Sequence, residues 1–218
     1  MLIDQTEFDE RIQSNRLRLA WVGMSNSGKS TCTRILTRQS GFKSFEVDQA
    51  INQSLEIQSM EQAARWMGYP FEADYPANRA RYLELEEIHT RVDVPPLGNF
   101  VLDTTGSIVY GSEELRRWIG ETFLVVGMKV SPTLAEILIR DYFAQPKTVI
   151  WGDEFSVAAD ETGIEAIKRC FPVLMANRTK VYSEMADLEI DAEFVRNSTL
   201  TDTNLLAKIR EKLPAYCD

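Results

Sequence analysis

The chain has 218 residues, 44% hydrophobic and 26% charged, with 11 Gly and 8 Pro; this fits one folded domain with a sizeable core and excludes fibrous and low-complexity classes. A net charge of −9 repels a phosphate backbone or an anionic lipid surface, so neither nucleic acid nor a membrane is expected as a partner. Cys32, Cys170 and Cys217 are too few and too scattered for a disulfide framework or a zinc site, no signal-like start is visible, and nowhere do about 18 apolar residues run together; the expectation is a soluble cytoplasmic protein, and nothing fixes its oligomeric state, a monomer being compatible.

Short apolar runs alternate with helical patterns along the chain. Residues 17–22 read as a first strand and 29–39 as a helix, with Gly41 at the C-cap position. A strand over 42–47 leads into a long helical stretch from about 49 to 92. Further strands are expected at 100–103, 123–130 and 188–190, with helices at 112–119, 132–143, 162–185 and 202–213. Ser131 followed by Pro132 fits an N-cap with proline at the first helical position. Residues 144–163 have no clear periodicity and form too long a stretch for an ordinary connection, so they read as a lid or binding loop. Strands alternating with helices imply right-handed crossovers. The predicted fold class is α/β: a three-layer α/β/α domain, with a parallel sheet of about five strands covered by helices on both faces.

The sequence GMSNSGKS at 23–30 fits GxxxxGK[ST], directly after a strand and directly before a helix. In that context the glycines let backbone N–H groups turn inward and end at a helix N-terminus, which together cradle phosphates. Gly23, Ser25, Asn26, Ser27, Gly28, Lys29, Ser30 and Thr31 are therefore the candidate nucleotide contacts, with Lys29 reaching the β/γ-phosphates and Ser30 a Mg²⁺ ion. This is the P-loop NTPase arrangement. Asp103, at the end of a strand, suits a carboxylate of the Mg²⁺ shell. The run Asp103-Thr104-Thr105-Gly106 also matches the DxxG of GTPase switches, but the chain has no NKxD guanine-reading motif. It has no ABC signature either, and little room for an AAA lid domain.

Asp48, at a strand end beside the cradle, can accept the proton of an attacking hydroxyl; the alternative is a helix N-cap. Ile164, Ile167, Phe171, Leu174, Arg178, Val181 and Met185 follow alternating spacings of three and four, which puts one guanidinium on an apolar stripe. A charge there needs a partner, either a buried carboxylate or an anionic ligand. Arg81 and Glu84 are i, i+3 neighbours beside the stripe Tyr82, Leu85, Ile88 and Val92, and read either as ligand contacts or as a solvated surface pair. His89 has no metal-ligand spacing and reads as packing.

Taken in order, these motifs resemble those of the shikimate kinases. In that family GKST is followed by an acidic-x-Asp, here Glu46-Val47-Asp48, and then by an Arg-x-x-Glu, here Arg81 to Glu84. Thr104-Thr105-Gly106-Ser107 stands where the family has three glycines, and Arg178 through Tyr182 to Ala186-Asp187 is similar to its Arg-x-Pro-Leu-Tyr…Ala-Asp segment. Lys147 resembles in position the lid cation, although the family's Arg-Pro order is inverted to Pro146-Lys147. The resemblance implies a kinase with ATP and Mg²⁺, a small hydroxyl compound as acceptor, Lys29, Asp48 and Arg178 as catalytic residues, and Lys147 on the nucleotide. It further implies Asp48, Arg81, Gly106 and Arg178 on the acceptor, with Ser30, Glu46 and Asp103 on the metal. The departures, including a longer stretch between Asp48 and Arg81, all lie on the acceptor side, so another small hydroxyl compound is an open alternative. A nucleotide kinase and a nucleotide-binding regulator also remain open.

Overall fold

The structure, a computed structural model, describes residues 3–95, 97–144 and 149–215. Strands β1 (Arg18–Val22), β2 (Lys43–Glu46), β3 (Phe100–Asp103), β4 (Leu124–Lys129) and β5 (Leu188–Asp191) form one sheet in the order β2-β3-β1-β4-β5, every neighbouring pair parallel. The helices are, in chain order, α1 (Gln5–Gln13), α2 (Lys29–Gln39), α3 (Val47–Ser54), α4 (Met60–Met67), α5 (Tyr75–Thr90), α6 (Glu113–Thr122), α7 (Pro132–Ala144), α8 (Gly163–Met185), α9 (Ala192–Val195) and α10 (Asp202–Lys212).

The central strands β1, β3 and β4 read as continuous apolar runs because both faces of the sheet are covered there, whereas the edge strand β2 is mostly exposed. Ala20, Val22, Leu102 and Val125 pack with residues of α3, α5, α6 and α8, whereas Leu19, Trp21, Val101, Leu124 and Val126 pack with residues of α1, α2 and α10. The expected three layers and parallel sheet are thus present.

The stretch expected as helical over 49–92 is three helices. Ser59 caps α4 by accepting from the Gln62 amide at 3.2 Å, and Gly68 ends that helix with φ +74°. Two helices had no clear sequence pattern. α1 buries only Phe8, and α9 is a single turn. α1 is nonetheless well specified: Asp4 accepts from the Glu7 amide at 2.8 Å, and Asp9 pairs with Arg210 of α10. After α7, residues 149–162 are irregular, with Ile150 and Trp151 buried. No helix among the described residues is long and apolar enough to cross a membrane.

Candidate active site

The site lies at the carboxyl ends of the strands, where open α/β sheets receive ligands. From Val22 the chain turns through the glycine-rich loop into α2. Asn26 (φ +64°) and Gly28 (φ +111°) take left-handed backbone, and a Cβ on Gly28 would stand 2.5 Å from Val195 Cγ1 of α9. The single turn of α9 therefore seats the loop from behind and admits only glycine there. Gly28 offers α2 no side-chain cap, and the first turn carries no acidic residue. Uncapped N–H groups and the positive end of the helix dipole are left to an anion.

Lys29 is buried, its Nζ donating to the Gly23 carbonyl at 2.9 Å and the Met24 carbonyl at 3.2 Å. Burial lowers its pKa, against the opposing charges of Asp103 and Asp48. The Ser27 hydroxyl is buried with no partner. Lys29 borders a cavity beside the loop, whereas Ser27 lies outside its lining.

Trp21 and Glu46 both stand level with Asp103 in the sheet register, which brings the ends of β1, β2 and β3 together. The Asp103 carboxyl is buried, with Oδ2 unpartnered. Burial pushes its pKa up to about 6, against Lys29 and the Ser30 hydroxyl. No cluster of three or more His, Cys, Asp or Glu able to hold a metal occurs among the described residues. Ser30, Asp103 and Glu46 offer hard oxygens, and the orphaned Asp103 oxygen lacks a cation. That set fits Mg²⁺, which keeps several waters and shares phosphate oxygens rather than occupying a full protein cage.

A cavity of about 280 Å³ opens beside the loop. Ser25, Asn26, Lys29 and Ser30 line one side of it, and Asp48, Tyr82, Ser107 and Arg178 also reach it. Asp48 lies in the first turn of α3 and caps nothing; its Oδ1 accepts from the Tyr82 hydroxyl at 2.7 Å. Its carboxyl is open to the cavity's water yet enclosed by protein, which raises its pKa, while the Tyr82 hydroxyl and Lys29 hold it down.

Arg178 is only 3% exposed. Its Nη1 donates to the Gly106 carbonyl at 2.9 Å and its Nη2 to the Ile150 carbonyl, while its Nε has no partner. The guanidinium carbon lies 5.1 Å from the centroid of the Tyr110 ring, an attractive but neutral surface. Among the described residues no carboxylate pairs with it. Of the two partners the sequence allowed, a buried carboxyl, Glu86, lies near enough for its charge to act on the guanidinium but makes no ion pair with it. Gly106 is held closely: a Cβ there would stand 2.9 Å from Ser25 Oγ and 3.6 Å from Arg178 Nη1.

Arg81 needs correction as a cavity residue. Its side chain is 49% exposed and pairs with Glu84 at 2.7 Å, outside the cavity lining. Of the expected stripe on α5, Tyr82 and Leu85 are buried, whereas Ile88 is 56% exposed. The buried face also carries Tyr75, Glu86 and Thr90, with Arg79 half-buried on the same helical period. An apolar template passes over these polar positions, and of these α5 residues Tyr82 lines the cavity. Arg79 approaches the Tyr110 ring at 5.9 Å, and its Nε is buried without a partner. Lys147 lies outside the described residues. Thr31 follows Ser30 in α2, its amide bonded to the Gly28 carbonyl at 3.0 Å. On α8, Ile167, Phe171, Leu174 and Arg178 are buried, whereas Ile164 is exposed at the helix start. His89 bonds Ser54 at 2.8 Å, joining α5 to α3, a packing role.

No protein-family model matches the chain, and no curated protein matches its sequence. Solved structures do. Shikimate kinase from Bacteroides thetaiotaomicron superposes with a TM-score of 0.57 at 13% identity, covering 89% of this chain and 97% of that one. The chain has the fold of a shikimate kinase. The enzyme from Aquifex aeolicus gives 0.51 at 17% identity, covering 88% and 93%. The Acinetobacter baumannii enzyme, solved in complex with shikimate, gives 0.57 at 19% identity, covering 90% and 93%. The shikimate kinase fold therefore extends over nearly the whole chain, well beyond the GKST motif.

Proposed function

We propose that the protein is an ATP-dependent kinase that transfers the γ-phosphoryl group to a hydroxyl of a small anionic acceptor. The observation that carries this reading is Arg178, a buried cation with no carboxylate at ion-pair distance among the described residues, sharing one cavity with the loop lysine and Asp48.

The loop N–H groups and Lys29 would bind the β- and γ-phosphates, Lys29 exchanging its two carbonyl partners for phosphate oxygens. Ser30, Asp103 and Glu46 would hold Mg²⁺, which supplies neutralisation of phosphate charge. Asp48 takes the proton of the acceptor hydroxyl as that oxygen bonds to Pγ and the bond from Pγ to the leaving ADP oxygen breaks. Arg178 orients the acceptor through its negative group, next to the Gly106 backbone. Residues 149–155, with Ile150 on the cavity, act as the lid that excludes water. The gain comes from positioning and charge stabilisation rather than from covalent chemistry.

Shikimate, present in one structure of the same fold, is the first acceptor to test, within a panel of hydroxylated acids, sugars and nucleotides assayed by ADP release. Lys29→Ala is expected to abolish turnover with the fold retained. Asp48→Asn is expected to lose turnover by about 10²-fold or more while still binding ATP; an active D48N enzyme would remove Asp48 from its assigned role. Nucleotide binding with no acceptor-dependent ADP release would instead indicate a regulator, and a preference for nucleoside monophosphates a nucleotide kinase.

A further inference from the structure

Glu86 is 1% exposed, and its carboxyl meets no cation at ion-pair distance among the described residues. Oε1 accepts from the Thr105 hydroxyl and from the Ser107 hydroxyl at 2.5 Å; Oε2 has no partner at all. A half-satisfied buried carboxyl is a poor device for stability, since an apolar residue of similar volume is often neutral or better. Both of its contacts go to one short loop. Thr104 fixes the start of that loop by donating to the Trp21 carbonyl at 2.6 Å, and the Ser107 amide donates to Thr105 Oγ1 at 3.1 Å. Between the two residues Glu86 holds lies Gly106, whose carbonyl accepts from Arg178 Nη1 and from the Tyr182 hydroxyl.

We propose that Glu86 is a positioning residue for the acceptor site. By drawing the Thr105 and Ser107 side chains into the fold, it presents the Gly106 carbonyl to Arg178 and so sets the guanidinium at the cavity. The Thr105 hydroxyl is thereby turned into the fold, while Ser107, its hydroxyl on Glu86, still borders the cavity and the Gly106 backbone faces Ser25 and Arg178. The role rests on the kinase reading given above, but its geometric part does not need an acceptor.

The test compares Glu86→Leu with Glu86→Gln in the full chain. Three properties are followed: melting temperature, MgATP affinity by calorimetry, and the ¹⁵N signals of the Arg178 guanidinium, assigned with Arg178→Lys. E86L is expected to melt no lower than the parent and to bind MgATP within about twofold, yet to shift and broaden the Arg178 signals. For the best acceptor in the panel it should raise KM roughly tenfold or more with kcat changed less. E86Q, which keeps an oxygen for the two hydroxyls, restores the signals and most of the KM. If E86L does not fold, Ser107→Ala is expected to give the same shifts in milder form. Unchanged Arg178 signals in E86L, or in S107A where that variant replaces it, would overturn the proposal. So would equal losses of melting temperature, nucleotide and acceptor affinity. If the parent protein phosphorylates nothing in the panel, the kinase reading fails, while the guanidinium signals still decide whether Glu86 sets Arg178.

Discussion

Arg178 is tied to two carbonyls and an aromatic face, a set that fixes its direction without neutralising its charge. Lysine cannot reproduce a planar fork with two anchored arms and a stacked face. Arg178→Lys is therefore expected to raise acceptor KM by about 10²-fold while MgATP affinity stays within a few-fold, measured by steady-state kinetics and calorimetry. A second residue-scale prediction concerns pH. Burial pushes the Glu86 carboxyl from 4.5 up to about 7. The folded chain thus holds this proton more tightly than the unfolded one, so stability is greatest below the unfolded value and falls as pH rises from about 4.5 through about 7. Asp103, pushed up to about 6 by the same cause, has the same sign. Thermal unfolding without nucleotide should show a lower melting temperature at pH 7.5 than at pH 5. The dependence should become shallower, though not flat, in Glu86→Leu. An E86L slope equal to the parent's would contradict the assignment.

At the scale of elements, α5 and the segment after α7 pack together beside the cavity, at the end proposed for the acceptor. The Tyr75 hydroxyl accepts from the Trp151 amide at 2.5 Å, and the Trp151 ring meets Phe155 and Phe171 edge-on at 5.5 and 5.8 Å. This packing delivers the Ile150 carbonyl to Arg178. Trp151→Ala should destabilise the protein by about 3 kcal/mol in denaturant unfolding and weaken acceptor binding more than nucleotide binding; equal loss of both would detach this segment from the acceptor site. Elements with a single strong period were legible in the sequence. The five strands were, the central β1, β3 and β4 because each lies between two apolar layers and the mostly exposed edge strand β2 as a short run around Phe45, and so was α8, whose stripe runs on a helical period. α1 was not, since one buried phenylalanine sets no period, and on α5 the apolar stripe identified Tyr82 and Leu85 but passed over the buried polar residues Glu86 and Thr90. The stretch 144–163 was read from its length and lack of period as a lid or binding loop; residues 149–162 are irregular, and their position depends on long-range contacts that leave no local pattern.

For the whole molecule, a charge of −9 coexists with one cavity where Lys29 and Arg178 converge. The acidic balance works against extended polyanions, and the buried cations, with a carboxylate set suited to Mg²⁺, suit a small one. The glycine-rich loop was legible, because GxxxxGK[ST] encodes backbone geometry. Of the residues along the cavity, Asp48, Gly106 and Arg178 were singled out from the sequence, whereas Arg79 and Glu86 were not, because their surroundings come from the packing of α5 against the loop at 104–107. The central claim is that the loop and the cavity residues serve one reaction, and the most direct measurement is ADP release by the intact protein with MgATP across the acceptor panel. The account predicts release that rises severalfold or more with one hydroxylated anionic acceptor, saturates with it, and is lost in both Lys29→Ala and Asp48→Asn. Tight MgATP binding with ADP release that no acceptor changes would contradict it.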